Sequence, residues 1–297
     1  MVIPGSKKPF CRDAAPATDI HGESGLDGTT LLPKPSVSPS SLPAMAQMHG
    51  ALMACRPQTA WLVVTGPLTN AALLFACFPE LVGHLKGLSV MGGAVGSGFT
   101  NANLGKPFGT SPEDMQPRIG NYTPYAEFNI WVDPESAQSV FQNSALASKT
   151  ALATLDLSHQ VFATAEIQNM ILNGKKSSST HPTRLRKMFY DLLTFFGQTY
   201  ADTFGLVDGP PVHDPLTIAA VLATLKDPKA RIDVEDTGER YKINVELQGP
   251  QTGRTRVESS TPGVTIPRKV DVVKFWEEIN LCLERADEEL GYIPAPQ

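Results

Sequence analysis

A charge-free run at 59–78, "TAWLVVTGPLTNAALLFACF", constrains the fold of this chain more than any other feature. Its length would suit a membrane-spanning helix, which needs about 20 apolar residues. Gly66 and Pro67 interrupt the run, however, with β-branched residues before the break and Ala and Leu after it. The pattern therefore favours a buried strand, a tight turn and a helix over a membrane span.

The same succession of strand and helix recurs along the chain. A continuous apolar run predicts a strand at 59–65, and strands are also predicted at 85–93, which ends in glycines, and at 149–157. Helical patterns are found at 68–78, 133–143, 163–173, 182–202, 213–225 and 272–290. A further β pair is predicted between 231–236 and 241–247. Strands that alternate with helices predict an open, mainly parallel α/β sheet flanked by helices.

Length, charge and cysteine usage narrow the class of protein. The 297 residues, 41% of them hydrophobic, can form one large core, so we predict a single domain over 1–297. A net charge of -5 without a basic stripe argues against nucleic acid or anionic membranes as partners and allows a small neutral ligand. The N-terminus lacks the apolar segment of a secretion signal, and four cysteines without metal or disulfide spacing suit reduced thiols. We therefore expect a cytoplasmic protein.

A long glycine-rich loop insertion at 92–120 begins where the second predicted strand ends. Ligands of open α/β sheets bind beyond the carboxyl ends of strands, and Asn121, Glu127 and Asn129 follow this loop. On an extended segment Glu127 and Asn129 would point to one face. Such a face suits a polyhydroxylated ligand, whereas a loop that caps a helix explains the same residues equally well.

The segment "PPVHDPLT" at 210–217 contains a second group of polar residues. Asp214 precedes Pro215, the arrangement of a helix N-cap followed by proline at the first helical position, and this explains the aspartate without a ligand. It does not explain His213, which could donate a proton while Asp214 faces a metal or hydroxyl groups. Thr65 closes a predicted strand, where an ordinary strand–helix turn is the alternative. His21 lies among glycines and acidic residues that are also typical of a surface loop.

Seven segments in one order, from near residue 3 to about residue 290, resemble the inosine-uridine-preferring nucleoside hydrolases. They are "PGSKKP", "DIHGESGLDG", "TGPLTNAALL", "VMGGA", "GNYTPYAEFNIWVDPESA", "VHDPLTIAAVL" and "KFWEEINLCLERA". The resemblance implies an open, Rossmann-like α/β fold and hydrolysis of the N-glycosidic bond of ribonucleosides to free base and ribose. It also implies a tightly held Ca²⁺ ion, a small-molecule nucleoside substrate and a homo-oligomer.

The resemblance assigns roles to residues that the patterns alone leave open. Asn121, Glu127 and Asn129 match residues that grip the ribose hydroxyls, and Met91 in "VMGG" matches a residue lining the sugar pocket. His21 matches a position near the base-binding region.

The match to the metal and acid positions is incomplete. The carbonyl of Thr65 and the carboxylate of Asp214 match calcium ligands, and His213 matches the histidine that protonates the leaving base. The family's aspartate-rich motif D-x-D-P-G-x-D-D, which supplies the main calcium ligands and the base that activates water, is absent from this sequence.

We therefore expect a chain that starts inside the family's domain and lacks its first strand–helix unit. Such a chain would have an incomplete calcium site and an exposed hydrophobic sheet edge. Its activity could be impaired, and a non-catalytic nucleoside- or ribose-binding relative or an inactive fragment is the alternative.

Overall fold

The computed structural model describes residues 1–174, 181–235 and 237–295, which form two compact units. The first unit comprises Met1–Ala15, Val37–Gln160 and His213–Val270. The second comprises Pro16–Ser36, Val161–Val212 and Asp271–Gln297. The single domain expected over 1–297 stays a prediction.

The helices and strands follow the chain in an α/β order. The strands are β1 (Trp61–Val64), β2 (Gly87–Met91), β3 (Thr150–Ala153), β4 (Tyr241–Val245) and β5 (Thr255–Ser259). The helices are α1 (Thr18–His21), α2 (Ala44–Met53), α3 (Thr69–Cys77), α4 (Leu81–His84), α5 (Phe128–Val132), α6 (Pro134–Phe141), α7 (Ser144–Ala147), α8 (Leu155–Ser158), α9 (Ala165–Asn173), α10 (Arg184–Phe204), α11 (Pro215–Leu222) and α12 (Val272–Leu290).

A parallel sheet in the order β1-β2-β3 forms the centre of the first unit. Trp61 is in register with Gly87, and Leu88 with Thr150. Every residue of β2 is buried, as is typical of a parallel strand that is covered on both faces, and the hydroxyl of its polar residue Ser89 donates to the Thr217 carbonyl at 2.8 Å. The predicted α/β fold with a parallel sheet is confirmed.

The core of the first unit surrounds this sheet. Helix α11 packs against all three strands, and α3 packs against α6, which also contacts β4. Leu88 and Val90 from β2, Leu152 from β3, Leu74 from α3 and Ile243 from β4 belong to one buried cluster. The carboxyl ends of the strands are thereby fixed by packing on the elements that flank them.

The two edges of the sheet differ. The outer edge of β3 is bonded to Thr265, which accepts from the Leu152 N–H and donates to the Thr150 carbonyl, both at 2.9 Å. The outer edge of β1 forms no backbone hydrogen bond to any part of the chain that the structure describes, and its residues are all half-buried. An unpaired apolar edge of this kind is open to another strand.

One predicted strand boundary and one predicted strand pairing were wrong. The strand expected over 149–157 ends at Ala153, because Leu155 begins the short helix α8. The segment 241–247 does not pair with 231–236, of which residue 236 lies outside the described ranges. Strand β4 pairs with β5 as an antiparallel hairpin, and its alternation of buried Tyr241, Ile243 and Val245 is typical of an antiparallel strand with one face covered.

The second unit contains α9, α10 and α12, which correspond to helices predicted from the sequence. A buried ion pair links α10 to α12: Arg186 Nε donates to Asp287 Oδ2 at 2.6 Å. Arg186 Nη1 also donates to the carbonyl of Ile171 near the end of α9, at 2.9 Å. Helix α12 begins after Asp271, whose side chain accepts from the Lys274 N–H. One buried guanidinium therefore joins three helices.

Within the described ranges, none of the helices combines the length and apolar character that a membrane span requires. The four cysteines are exposed free thiols.

Candidate active site

The candidate site begins at the carboxyl end of β2, where Met91 is followed by two glycines. Gly93 has φ +75°, and a Cβ there would lie 2.8 Å from Thr255 Oγ1, so a side chain is excluded on two grounds. This turn directs the Gly93 N–H towards Glu127 Oε2, at 2.8 Å. The glycine thus lets the strand end supply a backbone donor to the site.

Glu127 is the N-cap of α5 and is 2% exposed. Its Oε1 accepts from the Asn129 N–H at 2.8 Å, and its Oε2 accepts from the Ile130 N–H at 3.1 Å. Of the two alternatives for Glu127 and Asn129, an extended segment is therefore wrong and a loop that caps a helix is confirmed. A helix forms instead, because the carboxylate satisfies backbone donors of its first turn that have no partner within the helix.

Burial raises the pKa of Glu127 to about 7. The backbone donors at Asn129, Gly93 and Ile130 oppose the rise, and the negative charge of Asp214 adds to it. Asp214 is therefore close enough to repel Glu127. The two predicted carboxylates, one from each sequence segment, therefore influence each other's ionisation.

The Asn129 side chain connects two other predicted residues, Thr65 and Met91. Its Nδ2 lies 3.4 Å from the carbonyl oxygen of Thr65, 3.3 Å from that of Met91 and 3.2 Å from Met91 Sδ. Asn121 lies beside this group, since its Oδ1 accepts from the Phe128 N–H at 2.9 Å. The ends of β1 and β2 and the start of α5 thus meet at one amide.

Asp214 does not cap α11, contrary to the simplest interpretation of its sequence. Its backbone is already helical, at φ -56° and ψ -43°, and its carboxylate makes no capping hydrogen bond. The side chain reaches solvent, yet the surrounding protein desolvates it and raises its pKa to about 6. A carboxylate whose pKa is raised by desolvation is a candidate functional group.

His213 is hydrogen-bonded to a segment, 156–159, that was not predicted to contribute to the site. Its Nδ1 lies 2.7 Å from the hydroxyl of Ser158, and its ring lies 5.6 Å from that of His159. His159 Nδ1 donates to the carbonyl of Asn103 at 2.8 Å. Burial lowers the pKa of His159 to about 4, so this neighbour is neutral at pH 7.

The same segment anchors the long loop after β2. Asp156 accepts from the N–H groups of Val95 at 2.7 Å and Gly96 at 2.9 Å, and its carbonyl accepts from Thr100 Oγ1 at 2.8 Å. Asp156 fell within the strand predicted over 149–157, and Ser158 and His159 lay between that strand and the helix predicted at 163–173. Their signal is a polar run directly after an apolar strand, the rule that identified Glu127.

His21 belongs to the second unit, where its ring stacks on Phe196 with centroids 5.7 Å apart. Burial lowers its pKa, and the charge of Asp19 opposes that effect. Its place near a base-binding region stays a prediction.

The described side chains do not fit a calcium site. Across 1–174, 181–235 and 237–295, no three His, Cys, Asp or Glu side chains are grouped so that they could hold a metal ion. The Thr65 carbonyl faces the Asn129 amide, and both Glu127 oxygens accept backbone N–H groups. Asp214 is the remaining carboxylate near them, whereas calcium takes six to eight oxygen ligands.

An open parallel sheet with carboxylate, amide and imidazole groups near its strand ends defines an α/β protein with a small-molecule site. The family described as inosine-uridine preferring nucleoside hydrolase matches residues 1–277. The chain is 32% identical over 300 residues to uridine nucleosidase of Saccharomyces cerevisiae, covering 97% of this chain and 79% of the relative. It is 35% identical over 291 residues to the pyrimidine-specific ribonucleoside hydrolase RihA of Salmonella arizonae, covering 96% and 78%. The chain belongs to the inosine-uridine preferring nucleoside hydrolase family, whose members hydrolyse ribonucleosides.

Solved structures show the same fold. A purine-preferring ribonucleoside hydrolase from Gardnerella vaginalis aligns with a TM-score of 0.72 at 23% identity, covering 94% of this chain and 78% of the other. A plant nucleoside hydrolase aligns with a TM-score of 0.67 at 20% identity, covering 90% and 74%. The nucleoside hydrolase fold predicted from the sequence is confirmed.

Proposed function

We propose that this chain binds a ribonucleoside at the carboxyl end of β2 and cleaves its N-glycosidic bond to free base and ribose. One observation carries the proposal: the Asn129 amide gathers the Thr65 and Met91 carbonyls beside the buried Glu127 carboxylate, and α11, which follows Asp214, packs against the same strands. His213 is the residue before Asp214. The group therefore combines acceptors for a sugar with a candidate proton donor.

Glu127, Asn129 and Asn121 would hold the ribose hydroxyls. Glu127 Oε1 accepts one backbone hydrogen bond, whereas Oε2 accepts two. Because a carboxylate oxygen can accept two hydrogen bonds, Oε1 retains the capacity to accept a hydroxyl. Cleavage develops positive charge on the ribose, which the carboxylates of Glu127 and Asp214 would stabilise.

His213 would act as the general acid. The departing base carries the electron pair of the broken C–N bond, so a proton supplied to the base makes it a better leaving group. A water molecule from solvent bonds to the ribose carbon in its place and releases a proton to solvent, which completes the hydrolysis. A positioned acid typically contributes about 10²–10⁴-fold to the rate.

We assign no step to calcium. A calcium requirement is implied by the family resemblance, and the Thr65 backbone carbonyl and the Asp214 carboxylate are the groups that match its calcium ligands. Sugar binding and proton transfer are assigned to this chain's own groups, and the requirement for calcium is tested by assays with calcium and with a chelator.

Uridine is the first substrate to test, because relatives at 32% and 35% identity are named for uridine and for pyrimidine ribonucleosides. Inosine, a purine ribonucleoside, is the matched alternative. A cytoplasmic location and a homo-oligomer also remain proposals. The exposed free cysteines suit a reducing compartment, and light scattering would report the assembly.

A second function is favoured by the sparse set of metal ligands: binding of a ribonucleoside without cleavage. Ribose release and thermal stabilisation, measured together with uridine and inosine in calcium and in chelator, separate the two. We expect ribose release by the wild type, and its loss in His213→Ala with ligand stabilisation retained. Stabilisation without ribose would identify a binding protein. The absence of both would refute a ribonucleoside site.

A further inference from the structure

We propose that Ser158 is a positioning residue for His213: its hydroxyl sets the orientation and the proton arrangement of the imidazole ring. The inference rests on the proposed role of His213 as the acid. It adds a residue that lies 55 positions away in the sequence and belongs to a different element, α8.

The contact is short and buried. Ser158 Oγ lies 2.7 Å from His213 Nδ1, and Ser158 is 0% exposed. No water competes readily for a hydroxyl in such surroundings, so the bond restricts rotation of the ring more strongly than an exposed contact would. The ring itself is half-buried, which leaves it access to solvent and to a ligand.

Helix α8 is a fixed support for this hydroxyl. The Ser158 N–H donates to the Thr154 carbonyl at 3.1 Å. Two residues earlier, Asp156 accepts from the backbone of the loop at Val95 and Gly96. One residue later, the His159 imidazole holds the carbonyl of Asn103. Residues on both sides of Ser158 are therefore anchored, so that its hydroxyl has little freedom to move.

The bond suits both protonation states that an acid passes through. In the protonated ring, Nδ1–H donates to Ser158 Oγ, and Nε2–H is the bond that would break towards the base. After transfer the base nitrogen holds the proton, and the neutral ring keeps Nδ1–H on the serine oxygen. A hydroxyl accepts this bond before and after the step, and it can also donate to a bare Nδ1.

The test compares Ser158→Ala with Ser158→Thr, which keeps a hydroxyl, and with Ser136→Ala. Ser136 is also 0% exposed, and its hydroxyl donates to the Asp133 carbonyl, so its loss controls for removal of a buried serine hydroxyl. Each variant is assayed on uridine and on 4-nitrophenyl riboside, whose leaving group departs without protonation. We expect Ser158→Ala to lower kcat on uridine about tenfold, as loss of one hydrogen bond would. We expect little change in KM or in the nitrophenyl reaction, and recovery in Ser158→Thr.

Equal losses on both substrates, or an unchanged kcat on uridine, would overturn the inference. A wild type that cleaves neither substrate would instead contradict the proposed function. In that case, nitrogen-detected NMR of the histidine rings still tests the contact, with His213→Asn used to assign the signal. We expect Ser158→Ala to change the ratio of Nδ1–H to Nε2–H forms of His213, while Ser136→Ala leaves it unchanged. An unchanged ratio in Ser158→Ala would show that the hydroxyl does not position the ring.

Discussion

The two halves of the candidate site are held in different ways. In one half, Glu127 accepts three backbone N–H groups and the Asn129 amide faces two carbonyl oxygens. In the other half, the Asp214 carboxylate makes no capping bond to its helix, and Ser158 holds the His213 ring through Nδ1. The first half is fixed by the backbone itself, whereas the second has polar groups available for chemistry.

This difference separates binding from reaction. Groups that form a pocket for a sugar need fixed geometry, because side chains that are already ordered by hydrogen bonds lose less conformational entropy when a ligand binds. Groups that transfer protons must be able to gain and lose a proton. Mutations in the first half should therefore reduce stability, and those in the second should reduce turnover.

The largest effect is expected from His213→Ala. Loss of the acid should lower kcat on uridine by about 10²–10⁴-fold, which corresponds to about 3–5 kcal/mol of activation free energy. The melting temperature should change little, because the ring is half-buried. Steady-state kinetics and a thermal melt measure the two quantities. His49→Ala is the control, since His49 stacks on Phe78 and its Nε2 pairs with Glu80. Turnover within threefold of the wild type would refute the assigned role.

Glu127→Ala should have the next largest effect, and it should act on stability. Three backbone N–H groups would lose their acceptor in a buried site, at about 1–3 kcal/mol each, with entering water offsetting part of the loss. We expect the free energy of unfolding to fall by about 3–5 kcal/mol in urea titration at pH 6. Asp214→Ala should change it little, because its carboxylate caps nothing. Equal losses in the two variants would remove the distinction between the halves.

The pH dependence of stability should depend on Glu127. Its pKa in the folded chain is raised from 4.5 to about 7, so its contribution to stability is fully present below about pH 4.5 and is lost as the pH rises through 7. The shift corresponds to up to about 3 kcal/mol. Urea titrations from pH 4.5 to 7.5 should show this decline in the wild type and a smaller one in Glu127→Gln. Parallel curves would show that Glu127 titrates normally.

Local signals made part of this structure predictable. Asp133 before Pro134 marks the start of α6, where the Asp133 side chain accepts from the Ser136 N–H. The amphipathic pattern at 272–290 coincides with α12. Each of these elements is determined by residues within one or two turns of it, so the sequence alone suffices.

Contacts between distant residues were not predictable in the same way. The Glu127 carboxylate receives a donor from Gly93, 34 residues away, and Ser158 reaches His213 across 55. Glu127 and Asn129 were therefore identified as a pair, whereas their spacing did not decide between an extended segment and a helix cap. Ser158 was missed because it lay between a predicted strand, 149–157, and a predicted helix, 163–173. Spacing predicts which residue types gather at a strand end, but the bonding of each depends on tertiary structure.

The smallest effect is expected from calcium. Asp214 and the Thr65 carbonyl supply too few oxygen ligands for tight binding, and the site residues Glu127 and Asn129 are already bonded to the protein. A cation present at its dissociation constant stabilises a protein by only about 0.4 kcal/mol. Millimolar calcium or a chelator should therefore leave the melt of the wild type nearly unchanged, and Asp214→Asn should respond identically. A calcium-dependent rise of several degrees in the melting temperature that Asp214→Asn abolishes would show that the half of the site with Asp214 is a metal site. The contrast between the halves would then be one between sugar binding and cation binding.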